Sequence, residues 1–333
     1  MQPSSIKSKL SLAWDLTKVT FNQWIDDKCM RLGAALAYYT MFSLAPMLVV
    51  AIAVAGFVFG EEAARGEIVG QLRGLVGETG GRAIEALLLS VSQPGHGLVA
   101  TIVGVITFLV GATTAFVELQ DSLNTVWGVQ PKPGRGVMGL VRDRLLSFAM
   151  VVSIGFLLLV SLVMSAAISA ISTFLGGRVP GLVYFAQISN IVLSLGVVTL
   201  LFAMAFKVLP DVKLAWRDVW IGALSTGVLF TIGKYLIGLY LGSSTVASAY
   251  GAAGSVAVLL IWIYFSAQLL LLGAEFTQVY ANRFGSKVVP ADNAEWMVDY
   301  YARLQAGEVP ENQRGSRKEP RLRIPPLPAS HRT

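Results

Sequence analysis

The sequence predicts an all-α polytopic membrane protein with six transmembrane helices, and three observations support this fold class. The 333 residues are 54% hydrophobic and only 14% charged, which is too little charge to cover a water-soluble globule of this size. Long blocks contain no charged residue at all, namely 33–60, 86–117, 145–177 and 179–206. Lys and Arg are also distributed unevenly among the segments that connect these blocks.

Each block is long enough to cross a bilayer, since a helical span needs about 20 apolar residues. The last apolar block runs from Val219 to Asn282, and only Lys234 and Glu275 interrupt it. Its charge-free part, 235–274, would be about 60 Å long as one helix, about twice the hydrocarbon thickness. We therefore divide it at the small and polar segment 242–251. The six predicted spans are 33–58, 98–121, 145–171, 183–207, 218–241 and 253–279.

The Lys and Arg residues predict how these spans are oriented. Twenty-one lie in the N-terminal arm, the second and fourth connections and the C-terminal region, whereas four lie in the other three connections. The positive-inside rule therefore places both termini in the cytoplasm. Residues 1–31 lack the apolar core of a cleavable signal peptide, so we expect a multi-pass protein of a bacterial inner membrane.

The chain divides into three predicted parts: a cytoplasmic arm over 1–31, the transmembrane domain over 32–284, and a basic, largely disordered cytoplasmic tail over 285–333. Apolar residues three or four apart in the arm predict an interfacial helix, although a helix packed under the bundle fits the pattern equally well. Residues 61–94 predict two short amphipathic periplasmic helices, broken at the glycines of 77–81. Pro46 predicts a kink in the first span because it removes a backbone hydrogen bond.

Four stretches resemble the YihY/BrkB family of bacterial inner-membrane proteins, some of which were once described as ribonuclease BN. They are Leu32 to Pro46 (LGAALAYYTMFSLAP), Ala115 to Val129 (AFVELQDSLNTVWGV), Val208 to Ala223 (VLPDVKLAWRDVWIGA) with Lys234-Tyr235, and Tyr250 to Ala281 (YGAAGSVAVLLIWIYFSAQLLLLGAEFTQVYA). Their order and spacing fit the family as well. The resemblance implies a six-span inner-membrane fold and a transport role, but it implies no particular substrate.

Ionisable residues inside the spans are candidates for function. A charge at the bilayer centre costs about 2.5–3.5 kcal/mol, so it normally faces the protein interior or water. Near the cytoplasmic end, polar side chains of spans two and six predict a cluster that acts as a gate or as a proton-coupled site. Its predicted members are Glu118, Asp121, Glu275, Gln278 and Lys207. The alternative interpretation is structural, with these groups forming the interhelical contacts that hold the spans together.

Lys234 is a different case because it lies about 10 Å below the outer surface on span five, at a depth where the other spans offer no acid. Such a lysine either extends its ammonium group to the outer surface or lines an outward-open cavity that binds an anionic ligand. The cavity hypothesis predicts a ligand with a phosphate or carboxylate group. The predicted lining is Lys234, Asn190, Gln187, Ser165 and Ser169.

The leading functional hypothesis is a transporter or flippase-like protein for an anionic amphiphile or a small anionic solute. The alternative is a non-transporting scaffold of the cell envelope. No enzyme activity, metal or cofactor is expected, because His96 and His331 fall on opposite sides of the membrane and Cys29 has no histidine nearby.

The expected partners are membrane lipids. The net charge of +6 comes from Lys and Arg on the inner side, so we expect no nucleic-acid partner. Small-residue faces on spans five and six would support a homodimer as readily as packing within one chain.

Overall fold

The computed structural model describes residues 6–91, 114–132, 182–243, 254–299 and 302, and most of this length is helical. The helices are α1 (Ile6–Asp26), α2 (Cys29–Phe59), α3 (Glu61–Val91), α4 (residues 114–126), α5 (Leu182–Val208), α6 (Trp216–Ser243) and α7 (Gly254–Phe284). Four short strands accompany them: β1 (Val129–Pro131), β2 (Val212–Lys213), β3 (Val289–Pro290) and β4 (Ala294–Trp296).

Three helices in the described part of the chain are long and apolar enough to cross a membrane. Their membrane-length segments are Ile188–Val208 in α5, Trp216–Leu241 in α6 and Val256–Phe284 in α7. These segments correspond to predicted spans four, five and six. The predicted first span lies within α2, whereas most of the second and all of the third lie outside the described residues.

Helices α6 and α7 pack closely because each carries a small residue that faces a threonine of the other. A Cβ atom on Gly222 would overlap the side chain of Thr277, and one on Gly273 would overlap that of Thr226. Each threonine hydroxyl donates to a carbonyl oxygen of its own helix, Thr226 at 2.7 Å and Thr277 at 2.6 Å. The hydroxyls are thus satisfied while the backbones stay close. This antiparallel pair confirms that the long apolar block forms two helices.

The largest hydrophobic core lies where α2, α4, α5, α6 and α7 meet. Its buried members include Leu32, Leu123, Phe206, Val219 and Leu271, one from each of these helices. The indole of Trp127, which directly follows α4, is completely buried in the same core. Burial of a side chain this large fixes the position of α4 against the bundle.

Helix α3 folds back on itself. Residues 61–91 are helical throughout, yet a Cβ atom on Gly81 would lie only 3.2 Å from the Cα atom of Arg73. Eight residues of straight helix would separate these positions by about 12 Å. The chain therefore reverses direction between Arg73 and Gly81, a stretch that includes the glycines at which the sequence predicted a break, and α3 consists of two helical arms. Ile84 and Leu88 of α3 are buried against α2 and α7.

The strands form two small antiparallel sheets at one end of the bundle. β1 pairs with β4, and β2 pairs with β3, so three chain segments that follow α4, α5 and α7 are joined. We call residues 127–132, 209–215 and 285–299 together the strand cap. Of the predicted tail over 285–333, the structure describes residues 285–299 and 302, and these include β3 and β4. The sequence did not predict these strands. Two or three residues are too few to show the alternation of apolar and polar side chains, and the strands pair with partners that are distant in sequence.

Helix α1 lies against α7 and also keeps an exposed apolar side. Thr20 is buried and Trp24 packs on the main core, whereas Trp14 and Phe21 are 70% and 51% exposed. The structure shows the packed alternative, and the interfacial location stays a prediction. The exposed aromatic side chains are those that an interfacial location would cover.

Candidate functional site

A tight turn between α1 and α2 carries two of the site's side chains. The amide of Asp27 donates to the carbonyl oxygen of Gln23 at 2.8 Å. Lys28 has a φ of 54°, a left-handed conformation that commonly ends helices. The turn ends α1 and allows α2 to begin at Cys29, which places Asp27 and Cys29 beside Glu275 of α7.

Glu275 is completely buried, with an exposed fraction of 0%. Its Oε1 atom accepts a hydrogen bond from Cys29 Sγ at 3.5 Å, and the carboxyl group of Asp27 lies within hydrogen-bonding distance. Oε2 has no N–H, hydroxyl or thiol donor among the described residues. None of the electrostatic neighbours of this pair in the described part of the chain is a Lys or Arg. Among the described residues, two acids therefore face each other without a counter-charge.

Burial raises the pKa of Asp27 from 3.8 to about 6. The hydrogen bond to Glu275 opposes this rise, and the negative charge of Asp26 adds to it. Two ionised carboxylates in contact repel each other, whereas one proton between them allows a hydrogen bond. This arrangement can take up and release a proton.

The protein is expected to lose stability as the pH rises from 3.8 through about 6. The pKa of Asp27 is higher in the folded than in the unfolded chain, so in this window the folded state binds more protons and rising pH favours unfolding. The check is the melting temperature of detergent-purified protein across the window, for the wild type and Asp27→Asn. Asp27→Asn should lose part of the pH dependence. Asp26→Asn should lose less, because the charge of Asp26 is a smaller cause of the pKa rise than burial. Equal slopes for wild type and Asp27→Asn would contradict the prediction.

The other residues of the predicted inner cluster make contacts of their own. Gln278 Nε2 donates to the carbonyl oxygen of Val126 at 2.9 Å and so ties α7 to the end of α4. Lys207 Nζ donates to the carbonyl oxygen of Leu214 and lies 5.6 Å from the ring centroid of Trp216. Glu118 and Asp121 are half-buried on α4, and each has an interaction partner.

Asp211 connects the parts of the strand cap. Its Oδ2 atom accepts from Asn124 Nδ2 at 3.0 Å and from Gln120 Nε2 at 3.4 Å. Its Oδ1 atom accepts from Asn293 Nδ2 at 3.0 Å. The backbone amide of Asp211 donates to Asn124 Oδ1 at 2.8 Å, and its carbonyl accepts from the amide of Ala291 at 2.9 Å. One buried residue thus joins α4, the α5–α6 connection and the segment after α7.

Asp218 anchors the start of α6 in a similar way. Its Oδ2 atom accepts from the backbone amide and the hydroxyl of Ser286, at 2.7 and 2.8 Å. Sequence reasoning did not single out Asp211 or Asp218, although both lie in the 208–223 stretch that carries the family resemblance. Asp27 and Cys29 were also missed as site residues, and they lie outside all four stretches, so no such signal marked them.

Lys234 lies half-buried on α6, within its membrane-length segment. A Cβ atom on Gly227 would meet the side chains of Thr199 and Leu195, which sets the antiparallel register of α6 and α5. Lys234 lies two turns beyond Gly227 on α6, and Asn190 lies about two turns from this contact in the opposite chain direction on α5. Because the helices are antiparallel, the two residues lie at the same level. Asn190 is half-buried, and its Oδ1 atom has no hydrogen-bond partner among the described residues.

The remaining predicted residues are placed only in part. Gln187 lies in α5, outside the residues whose side chains are described, and α2 continues as a helix through Pro46. Ser165 and Ser169 lie outside the described residues. Of the predicted lining residues, Lys234 and Asn190 are those whose side chains the structure describes.

A cleft of about 460 Å³ lies between the two arms of α3. Its lining includes Glu62, Arg65, Arg73 and Glu85, and Arg73 Nη2 pairs with Glu85 Oε2 at 3.1 Å. Sequence reasoning did not identify this cleft because it depends on how α3 folds back. Within the described ranges, no group of three or more His, Cys, Asp or Glu side chains is arranged to hold a metal ion.

Comparison with known proteins assigns this bundle to a family. The family model of the virulence factor BrkB matches residues 20–296, from within α1 to the end of β4. The chain belongs to the YihY/BrkB family. This confirms the resemblance identified from the four stretches of sequence.

This YihY/BrkB chain is similar to several bacterial proteins named UPF0761 membrane protein. It is 30% identical to one from Pseudomonas paraeruginosa over 258 residues, which cover 76% of this chain and 59% of the relative. It is 30% identical to one from Ralstonia nicotianae over 254 residues, covering 75% and 55%. For one from Pseudoalteromonas translucida the identity is 28% over 262 residues, covering 77% and 82%. No solved structure matches the chain.

The chain spans less than two thirds of the length of the Pseudomonas and Ralstonia relatives. Their names describe membrane proteins, and α5, α6 and α7 of this YihY/BrkB chain have the length and composition to cross a membrane. The chain is therefore a helical membrane protein.

Proposed function

We propose that this YihY/BrkB protein is a multi-pass inner-membrane transporter, or flippase-like protein, for an anionic amphiphile or a small anionic solute. One observation carries the proposal. Lys234 and Asn190 lie at the same level on two packed helices, both long and apolar enough to cross a membrane. Polar groups at such a position are costly unless protein, water or a ligand surrounds them, so together they favour a binding role.

The chemistry of these two side chains selects an anionic ligand. The lysine ammonium and the asparagine amide both supply N–H donors, and neither carries a negative charge. Charge-assisted hydrogen bonds from such donors suit the oxygens of a phosphate or carboxylate group. Attraction to an anion is also stronger at a half-buried position than in bulk water, because the local dielectric is lower.

The proposed arrangement has six spans with both termini in the cytoplasm. Support comes from the excess of Lys and Arg in the second and fourth connections and the C-terminal region, of which the strand cap is part. By the positive-inside rule, this excess favours an inner-side location for the cap and for Glu275. Lys234 then lies toward the outer side. An anion would enter from one side and pass a gate near α7 and the α1–α2 turn before it left on the other.

The test is movement of labelled anionic and zwitterionic lipids across proteoliposomes that contain purified protein. Lys234→Met keeps the length of the side chain and removes its charge. We expect this variant to slow movement of the anionic lipid about tenfold or more, because the loss of one charge-assisted hydrogen bond weakens binding by about that factor. Lys234→Arg serves as the matched control and should keep most of the activity. Movement of the zwitterionic lipid should change less than that of the anionic lipid.

Other outcomes would contradict part or all of this proposal. If wild-type protein moves neither lipid above empty liposomes, uptake of labelled phosphate and carboxylate anions decides between an amphiphile and a small solute. If neither class moves, the transport proposal fails. Loss of envelope function on removal of residues 307–333, with no effect of Lys234→Ala, would instead favour a non-transporting scaffold.

A further inference from the structure

We propose that Asp27 and Glu275 form a proton-binding site in which one proton, shared between the two carboxyl groups, holds the α1–α2 turn against α7. Release of this proton to solvent leaves two facing carboxylates, whose repulsion loosens the turn. The site stands on its own geometry, whereas its role as the coupling site of transport rests on the proposed function. The sequence predicted that Glu275 belongs to a cluster with Glu118 and Asp121, and the structure adds Asp27 as an acidic neighbour of Glu275.

The Oε2 atom of Glu275 lacks a hydrogen-bond donor, and this lack indicates that a further group, here a proton, binds at the site. Glu275 is fully buried, and Oε2 has no donor among the described residues. A thiol is a weak donor, so the contact from Cys29 to Oε1 compensates little of the cost of burying a charged carboxylate. A proton on Asp27 or Glu275 supplies the missing donor and lowers the charge of the pair from two to one.

In the described part of α1, α2 and the turn between them, no Lys or Arg is among the electrostatic neighbours of the pair. Asp26 at the end of α1 adds negative charge near Asp27. Lys28 and Arg31, in the turn and at the start of α2, are exposed. Cys29 is the titratable group that α2 places directly on Glu275.

The other helices packed on α7 also leave the pair without a described counter-ion. α6 faces α7 near this level with Gly222 and Thr226, neither of which ionises. α4 meets α7 through the Val126 carbonyl and Gln278, while its Glu118 and Asp121 have partners. α3 packs on α7 near Leu259 and Ile263, about 18 Å or more along the helix from Glu275. On α7 itself Arg283 lies two turns further on.

Cys29 offers a reporter for this site. It is the only cysteine of the chain, its side chain is fully buried, and its thiol contacts Glu275 directly. Alkylation of Cys29 therefore requires that the α1–α2 turn moves away from α7. Because thiols become more reactive as pH rises, the rate must be compared with that of a variant whose pair does not ionise.

The experiment measures the rate at which a small neutral maleimide alkylates Cys29 in the full-length protein in lipid nanodiscs, as a function of pH. Glu275→Gln keeps the shape of the side chain and removes its ionisation. We expect the ratio of the wild-type rate to the Glu275→Gln rate to rise about fivefold or more as the pH passes through the transition of the pair. Asp27→Asn should behave like Glu275→Gln, and Asp26→Asn like the wild type.

A second measurement, infrared difference spectroscopy of the wild-type protein, does not depend on a variant that folds. A protonated carboxyl band should disappear over the same pH range in which the alkylation ratio rises. A constant ratio without loss of such a band would overturn the proposal. Protection of Cys29 by Na⁺ at constant pH would also overturn it, because the pair would then bind a metal cation.

The two proposals fail separately. A rising alkylation ratio, with no anion movement in proteoliposomes, would leave the proton site in place and refute transport. Anion movement whose rate does not change with a proton gradient, together with a constant alkylation ratio, would refute the proton site and leave transport in place.

Discussion

Asp211→Ala is expected to lower the free energy of unfolding by about 3 kcal/mol or more. The substitution removes a buried acceptor from Asn124, Gln120 and Asn293, and leaves their amide groups without this partner inside the strand cap. The melting temperature of the purified protein in detergent measures the loss. Hydrogen exchange should show that residues 285–299 open first, since Asp211 joins Asn293 of this segment to Asn124 and Gln120 of α4, in addition to the pairing of β1 with β4.

The matched control for this prediction is Asp292→Ala, in the same segment after α7. Asp292 is 93% exposed in its pair with Lys213, so its loss should change stability little. Asn124→Ala combined with Asp211→Ala should cost less than the sum of the two single changes, because both remove the same hydrogen bonds. Equal losses for Asp211→Ala and Asp292→Ala would show that the buried network does not hold the cap.

Gly273→Val is expected to force α6 and α7 apart. A Cβ atom at this position already overlaps Thr226, and both helices are fixed by further neighbours, so neither can shift freely. Overpacking of this kind costs about 1–3 kcal/mol, and more where backbones must separate. The loss of stability is measured as the fraction of protein that stays monodisperse after heating, by fluorescence-detected gel filtration.

Two companion variants separate overpacking from the general effect of replacing a glycine. Gly238→Ala, on α6 at a position with no described neighbour within 4 Å, should be neutral or slightly stabilising. Gly273→Ala should be rescued by Thr226→Gly, which removes the overlapping side chain. If the double variant is no more stable than Gly273→Ala alone, the contact with Thr226 does not determine the helix spacing.

The fold class and the family were both available from the sequence. Long charge-free segments have few ways to bury their backbone polar groups in lipid other than as helices, so the helical membrane class follows from composition and length. The break between α6 and α7 followed from the same reasoning, because a helix of 40 apolar residues does not fit one bilayer crossing. Lys234 and Glu275 were recognisable as unusual because each is an isolated charge in such a segment.

The pairing of distant residues was decided only by the tertiary structure. Glu275 meets Asp27 and Cys29, which lie almost 250 positions earlier, and Asp211 joins Asn124 to Asn293 across three segments. No periodic pattern encodes such contacts, since periodicity reports which face of one element is apolar and not which element covers it. The sequence by itself determined which segments leave water, whereas the packing of the helices decided which polar groups they bring together and left Glu275 opposite an acid.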